Sequence, residues 1–151
     1  MRRLAPTGHA REVLVTGPRR RAALLLVWTW RVWMLLYLSS AVAQPVLAGA
    51  YLQGDYDAIG LHGTNGAALL SLMVLGSGVL ALACAVTARA AWWPVVMVVA
   101  LFVAQGIQIG MGYSRSLLVH VPLGVGIVVT VAGLTLWVWS PRLPAGRRRR
   151  S

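Results

Sequence analysis

Residues 58–88 read AIGLHGTNGAALLSLMVLGSGVLALACAVTA, 31 positions without one Asp, Glu, Lys or Arg. A helix needs about 20 apolar residues to cross the ~30 Å hydrocarbon layer of a bilayer. An uncharged run of this length predicts a membrane span rather than a core helix of a soluble domain. Working outward, the flanking charges delimit three more such runs, residues 32–54, 90–114 and 116–141. In lipid the backbone must satisfy its own hydrogen bonds, so each run is expected to be a helix. The expected fold class is an all-α membrane protein with four transmembrane helices, spanning about residues 32–53, 61–87, 92–112 and 117–139. These make a membrane domain of residues 22–140, between basic tails at 1–21 and 141–151.

Composition agrees. Of 151 residues, 58% are hydrophobic and only Glu12, Asp55 and Asp57 are acidic, too little polar surface to coat a soluble core. The net charge of +11 comes from arginine alone, and its placement tells orientation. Arg2, Arg3, Arg11, Arg19, Arg20, Arg21 and Arg31 precede the first span, Arg89 lies in the central link, and Arg142 and Arg147 to Arg150 follow the fourth. Only Arg115 falls on the other side, so the positive-inside rule puts both termini in the cytoplasm of a bacterial inner-membrane protein. The basic tails are expected to lean on anionic headgroups. No nucleic-acid partner is expected, because no aromatic-interleaved basic fold accompanies the charge. Trp28, Trp30, Trp33, Trp92, Trp93, Trp137 and Trp139 all fall at the cytoplasmic ends, and Tyr51, Tyr56 and Tyr113 near the outer ends, as interfacial rings should.

The start also has a competing reading. A basic region, an apolar run from Ala22 and Ala41-Val42-Ala43 together match a secretory signal with an A-x-A cleavage site. A retained helix is favoured, since Arg31 interrupts the run and apolar character continues through Leu52. Residues 22–30 then extend the first helix or lie along the interface. Cys84, the single cysteine, allows no intrachain disulfide and reads as a small packing residue.

An internal repeat points to the site. Ala43-Gln44-Pro45-Val46-Leu47-Ala48-Gly49 matches Ala104-Gln105-Gly106-Ile107-Gln108-Ile109-Gly110 at the Ala-Gln pair and the final glycine. Leu61-His62 followed by Gly66 matches Val119-His120 followed by Gly124. Spans 1–2 and 3–4 are therefore expected to be two parallel hairpin repeats. His62 and His120 would stand at equal depth near the outer face, each with a glycine one turn below that lets something flat approach the backbone. Two facing imidazoles suit axial ligation of a haem iron, giving His62 and His120 as metal ligands and Gly66 and Gly124 as cofactor-binding positions. Gln44 and Gln105 need interhelical partners in hydrocarbon. They serve hairpin register or contact the cofactor; Asn65 and Gln108 are similar candidates of lower rank. Asp57 is expected to cap the second span.

The pattern resembles a family of small bacterial four-helix membrane proteins with one histidine per hairpin, over roughly residues 32–139. More distantly it is similar to one half of haem A synthase, whose bundles bind b-type haem through helix-borne histidines. That resemblance implies haem b held by His62 and His120. Gly63 and Val121 stand where the synthase has arginine, and no embedded glutamate is present, so the synthase's chemistry does not carry over. No nucleophile–base pair or phosphate loop appears, and an independent enzyme is not expected. The leading reading is a haem-binding electron-transfer or haem-holding protein, which would need a membrane redox partner or quinone. The alternative is a structural or accessory subunit of a membrane complex. A small transporter is disfavoured by the lack of embedded charge.

Overall fold

A computed structural model describes residues 17–87 and 90–140. The readings placed on residues 1–16, on Arg89 and on residues 141–151 lie outside the described residues. Four helices make up the molecule: α1 (Pro18–Leu52), α2 (Asp57–Thr87), α3 (Trp93–Tyr113) and α4 (Leu117–Trp139). All four are long and apolar enough to cross a membrane, and no described residue is in a strand. The chain is an all-α membrane protein. Each helix packs on two neighbours in a ring: α1 on α2 and α4, α3 on α2 and α4. The helices that carry the histidines are thus diagonal partners.

Two helix starts differ from expectation. α1 begins at Pro18, whose missing N–H costs nothing in a first turn. It then runs unbroken through Arg31, so residues 22–30 extend the first helix. α2 begins at Asp57 rather than Leu61 because the Asp55 carboxylate accepts the amides of Asp57 (3.2 Å) and Ala58 (3.3 Å). Asp55 is therefore the side chain that caps α2. Asp57 is the first helical residue, where its charge complements the helix dipole.

α2 contains one irregular turn. Asn65–Leu69 is π-helical, with α-helix on both sides, so one residue more than usual is fitted into the turn below His62.

Lipid tails are as apolar as leucine, so packing and interhelical hydrogen bonds hold such a bundle. The core joins Met34, Tyr37 and Ala41 of α1 to Val74, Ala81 and Cys84 of α2, Leu101 of α3, and Val131 and Val138 of α4. Trp33 seats its indole against Gly76, where a Cβ would collide with the ring, and its Nε1 donates to the Met73 carbonyl at 2.9 Å. Mid-bundle polar groups are paired. Ser40 donates to Asn65 Oδ1 (2.6 Å) while Asn65 Nδ2 donates to the Ser40 carbonyl (2.9 Å). Tyr37 donates to Gln105 (3.4 Å), which donates to Ser71 (3.3 Å).

At one end the tryptophans gather: Trp93 and Trp30 both lie edge-on to Trp137, and Trp28 lies edge-on to Trp139. At the other, two tight loops close the hairpins with the same hydrogen-bond pattern. Gly54 N–H donates to Tyr51 O (3.0 Å) and Asp55 N–H to Ala50 O (3.1 Å). Arg115 N–H donates to Gly112 O (3.1 Å) and Ser116 N–H to Met111 O (2.9 Å). Both are Schellman closures, which need a left-handed residue after the helix. Gly54 (φ 101°) fills that place in the first, whereas the second uses Arg115 (φ 56°).

Candidate functional site at the histidine end

α2 and α4 bring His62 and His120 together across the bundle axis. Their ring centroids are 6.1 Å apart and the ring planes are inclined by 53°. Each ring is half-buried, and each is tied back to the preceding helix of its own hairpin. His62 Nδ1 meets the carbonyl oxygen of Gln44 at 3.1 Å, and His120 Nδ1 meets that of Gln108 at 2.9 Å. A carbonyl oxygen can only accept, so Nδ1 is the donor in both contacts and Nε2 is the nitrogen left to meet another partner. The sequence contains no signal for such a contact, since the acceptor is backbone.

The glutamine side chains complete the arrangement. The amide of Gln44 lies over Gly66, and the amide of Gln108 lies over Gly124. A Cβ on either glycine would come within 2.9 or 2.8 Å of the amide nitrogen. What the two glycines admit within the protein is therefore a carboxamide. Gln44 Nε2 donates to the His62 carbonyl at 3.2 Å, joining ring, amide and backbone of one hairpin into a closed pair. Gln44 Oε1 and Gln108 Oε1 are buried with no hydrogen-bond partner among the described residues. Two orphaned acceptors in an apolar bundle are costly unless a donor reaches them.

Of the residues singled out from the sequence, His62, His120, Gly66, Gly124, Gln44 and the lower-ranked Gln108 converge here. Gln105 does not. It is buried nearer the middle of the bundle, spent on Tyr37 and Ser71. Gln108, one turn closer to the histidines, holds the place that matches Gln44. The shared Ala-Gln dipeptide pointed to the wrong glutamine because the two hairpins close at different heights. Gln44 precedes its histidine by 18 residues and Gln108 by 12.

Gly112 belongs to the site as well. A Cβ there would lie 3.0 Å from His120 Cε1 and 3.2 Å from Nδ1, so the missing side chain makes room for the ring.

His62 and His120 are the two residues here whose side chains could hold a metal, each through Nε2. An imidazole nitrogen binds a transition metal at ~2 Å, a reach compatible with two rings at this separation. No third His, Cys or carboxylate joins the two histidines among the described residues. Two protein ligands suffice when the metal brings its own equatorial donors, as a haem iron does.

Compared with known proteins, the chain matches no family model, no curated sequence and no solved structure.

Proposed function

We propose that this membrane protein binds one b-type haem between His62 and His120, and passes electrons or holds haem at that end of the bundle. One observation carries the reading: two imidazoles on diagonal helices, 6.1 Å apart, each with Nδ1 held by a backbone carbonyl. Metal-ligating histidines generally use their second nitrogen in this way, which fixes the tautomer and raises ligand basicity. His62 and His120 would supply Nε2 to the iron, with Gln44, Gln108 and Gly112 orienting the rings. When bound, the haem supplies one-electron redox chemistry, and the apolar helices limit water near it. The distant resemblance to haem A synthase supports the same ligand pair.

The arginine asymmetry supports a bacterial inner-membrane location with both termini cytoplasmic and the histidine end outside. One haem near one face cannot move electrons through the full bilayer, so a quinone or a membrane redox partner completes the pathway.

A second reading, a structural or accessory subunit, is favoured by the polar side chains spent on helix pairing at Ser40, Asn65, Tyr37, Ser71 and Gln105. The two separate in one measurement. Protein purified from haem-replete cells should show a Soret band, and His62→Ala and His120→Ala should each abolish low-spin bis-imidazole absorption. A folded, colourless protein, or a Soret band unchanged in both variants, removes the haem reading.

A further inference from the structure

The opposite end of the bundle carries a charge that the haem reading does not use. Arg31 lies inside α1, level with the last turn of α4, where its Nε donates to the Val138 carbonyl at 3.2 Å. Its guanidinium carbon sits 4.9 Å from the centre of the Trp28 ring and 5.5 Å from that of Trp139. Those rings pack edge-to-face at 5.8 Å, and Trp139 Nε1 donates to the Arg31 carbonyl at 3.4 Å. The guanidinium is thus held by two aromatic rings and one carbonyl, in a fixed pose. Nothing described neutralises it: the acidic residues among the described positions, Asp55 and Asp57, lie in and beside the α1–α2 loop at the far end. No described residue accepts a hydrogen bond from its Nη atoms.

Beside this charge is an apolar groove. Leu25, Trp28, Thr29, Val32, Trp33 and Leu36 line a shallow depression of about 380 Å³ along α1. From Leu25 to Leu36 it follows the helix for about 16 Å at 1.5 Å per residue. Trp28 is common to both features, with one ring serving the groove and the cation.

We infer that Arg31, Trp28 and Trp139 form a headgroup site for an anionic phospholipid, whose acyl chain lies in the inward part of the groove, from Trp28 to Leu36. Three observations select this occupant. The Nη donors, which no described residue engages, match a phosphodiester, which a guanidinium can grip through two parallel hydrogen bonds. The tryptophans mark the depth at which headgroups sit. From Trp28 the groove continues past Val32 to Leu36, into the apolar part of α1, as an acyl chain attached to that headgroup must. A free phosphate would use the cation and leave the groove unfilled.

The test is retention of lipid through purification. Full-length protein is extracted from vesicles of equal phosphatidylglycerol and phosphatidylcholine, and bound lipid is counted by native mass spectrometry. Wild type should keep phosphatidylglycerol in preference, and excess inorganic phosphate should not strip it. Arg31→Gln should lower that retention about fivefold, the effect of one basic residue at a headgroup. Trp28→Leu, at a lipid-exposed position that leaves the fold intact, should lower it two- to threefold by a combined loss of ring and groove wall. Arg21→Gln, an exposed charge ten residues earlier on the same helix, should change nothing. The inference is overturned if Arg31→Gln and Trp28→Leu keep wild-type retention, if Arg21→Gln loses as much as Arg31→Gln, or if both lipids are held alike. Should Arg31→Gln fail to fold through loss of the Val138 contact, the Trp28→Leu and Arg21→Gln pair decides.

Discussion

α2 and α4 bury the same kind of stripe but count it differently. In α2, Leu70, Val74, Ser77 and Ala81 are buried, 8, 12, 15 and 19 residues after His62. In α4, Ile127, Val131, Leu134 and Val138 are buried, 7, 11, 14 and 18 residues after His120. Each of these four intervals is longer by one in α2, while Met73 and Thr135 widen the two stripes at 11 and 15 residues. The π turn at Asn65–Leu69 lies between His62 and the first of these positions and holds the surplus residue. Without it the stripe below would be turned by ~100° relative to the imidazole. The comparison teaches that facing histidines can be kept by two helices of unequal count, provided one of them takes up the difference in a local widening.

Deletions break this comparison most sharply. Removing Ala68 should convert the π turn to α-helix and give α2 the spacing of α4, with the fold retained and a small change in thermal unfolding midpoint. Removing Val125 at the corresponding level of α4, where no surplus exists, should rotate Val131 and Val138 out of the core. We expect loss of the monodisperse folded protein on size exclusion. Equal tolerance of the two deletions would dismiss the role given to the π turn.

The next effect probes a contact that only the first hairpin has. Gly76→Ala should destabilise by about 2–3 kcal/mol, because a Cβ there collides with the buried indole of Trp33. With the one-residue offset the matching position in α4 is Gly133, 13 residues after His120, where an added Cβ would meet nothing within 4 Å, so Gly133→Ala should be tolerated. Unfolding in a mild detergent measures the difference.

The smallest effect sharpens the loop comparison. Gly54→Ala should cost about 1 kcal/mol, and Arg115→Gly should gain a similar amount, since only glycine takes a left-handed conformation without penalty. If both changes destabilise, Arg115 has a contact that outweighs its backbone strain.

Much of this was legible from residue order. Uncharged runs bounded by Arg31, Asp57, Arg89 and Arg115 marked four helices because lipid tolerates little else. The repeated His-x3-Gly marked both imidazoles, since a histidine near the end of an apolar run is conspicuous. Less visible was the start of α1, because Arg31 looked like a boundary whereas the helix passes it with the side chain laid against two indoles. Gln108 was ranked below Gln105, since dipeptide identity says nothing about loop height. The π turn has no residue signature at all. Only the burial on either side of it exposes the extra position.

The two hairpin tips also differ in reach. α1 continues 8 residues beyond Gln44 before ending at Leu52, whereas α3 ends at Tyr113, 5 residues beyond Gln108. At 1.5 Å per residue the first tip stands roughly 4–5 Å higher over the imidazole pair. The rim above the two rings is therefore a ramp, with a tall wall on the Gly54 side and a low sill at Arg115. Whatever arrives from solvent has the shorter descent over the sill and meets the ring of His120 before that of His62.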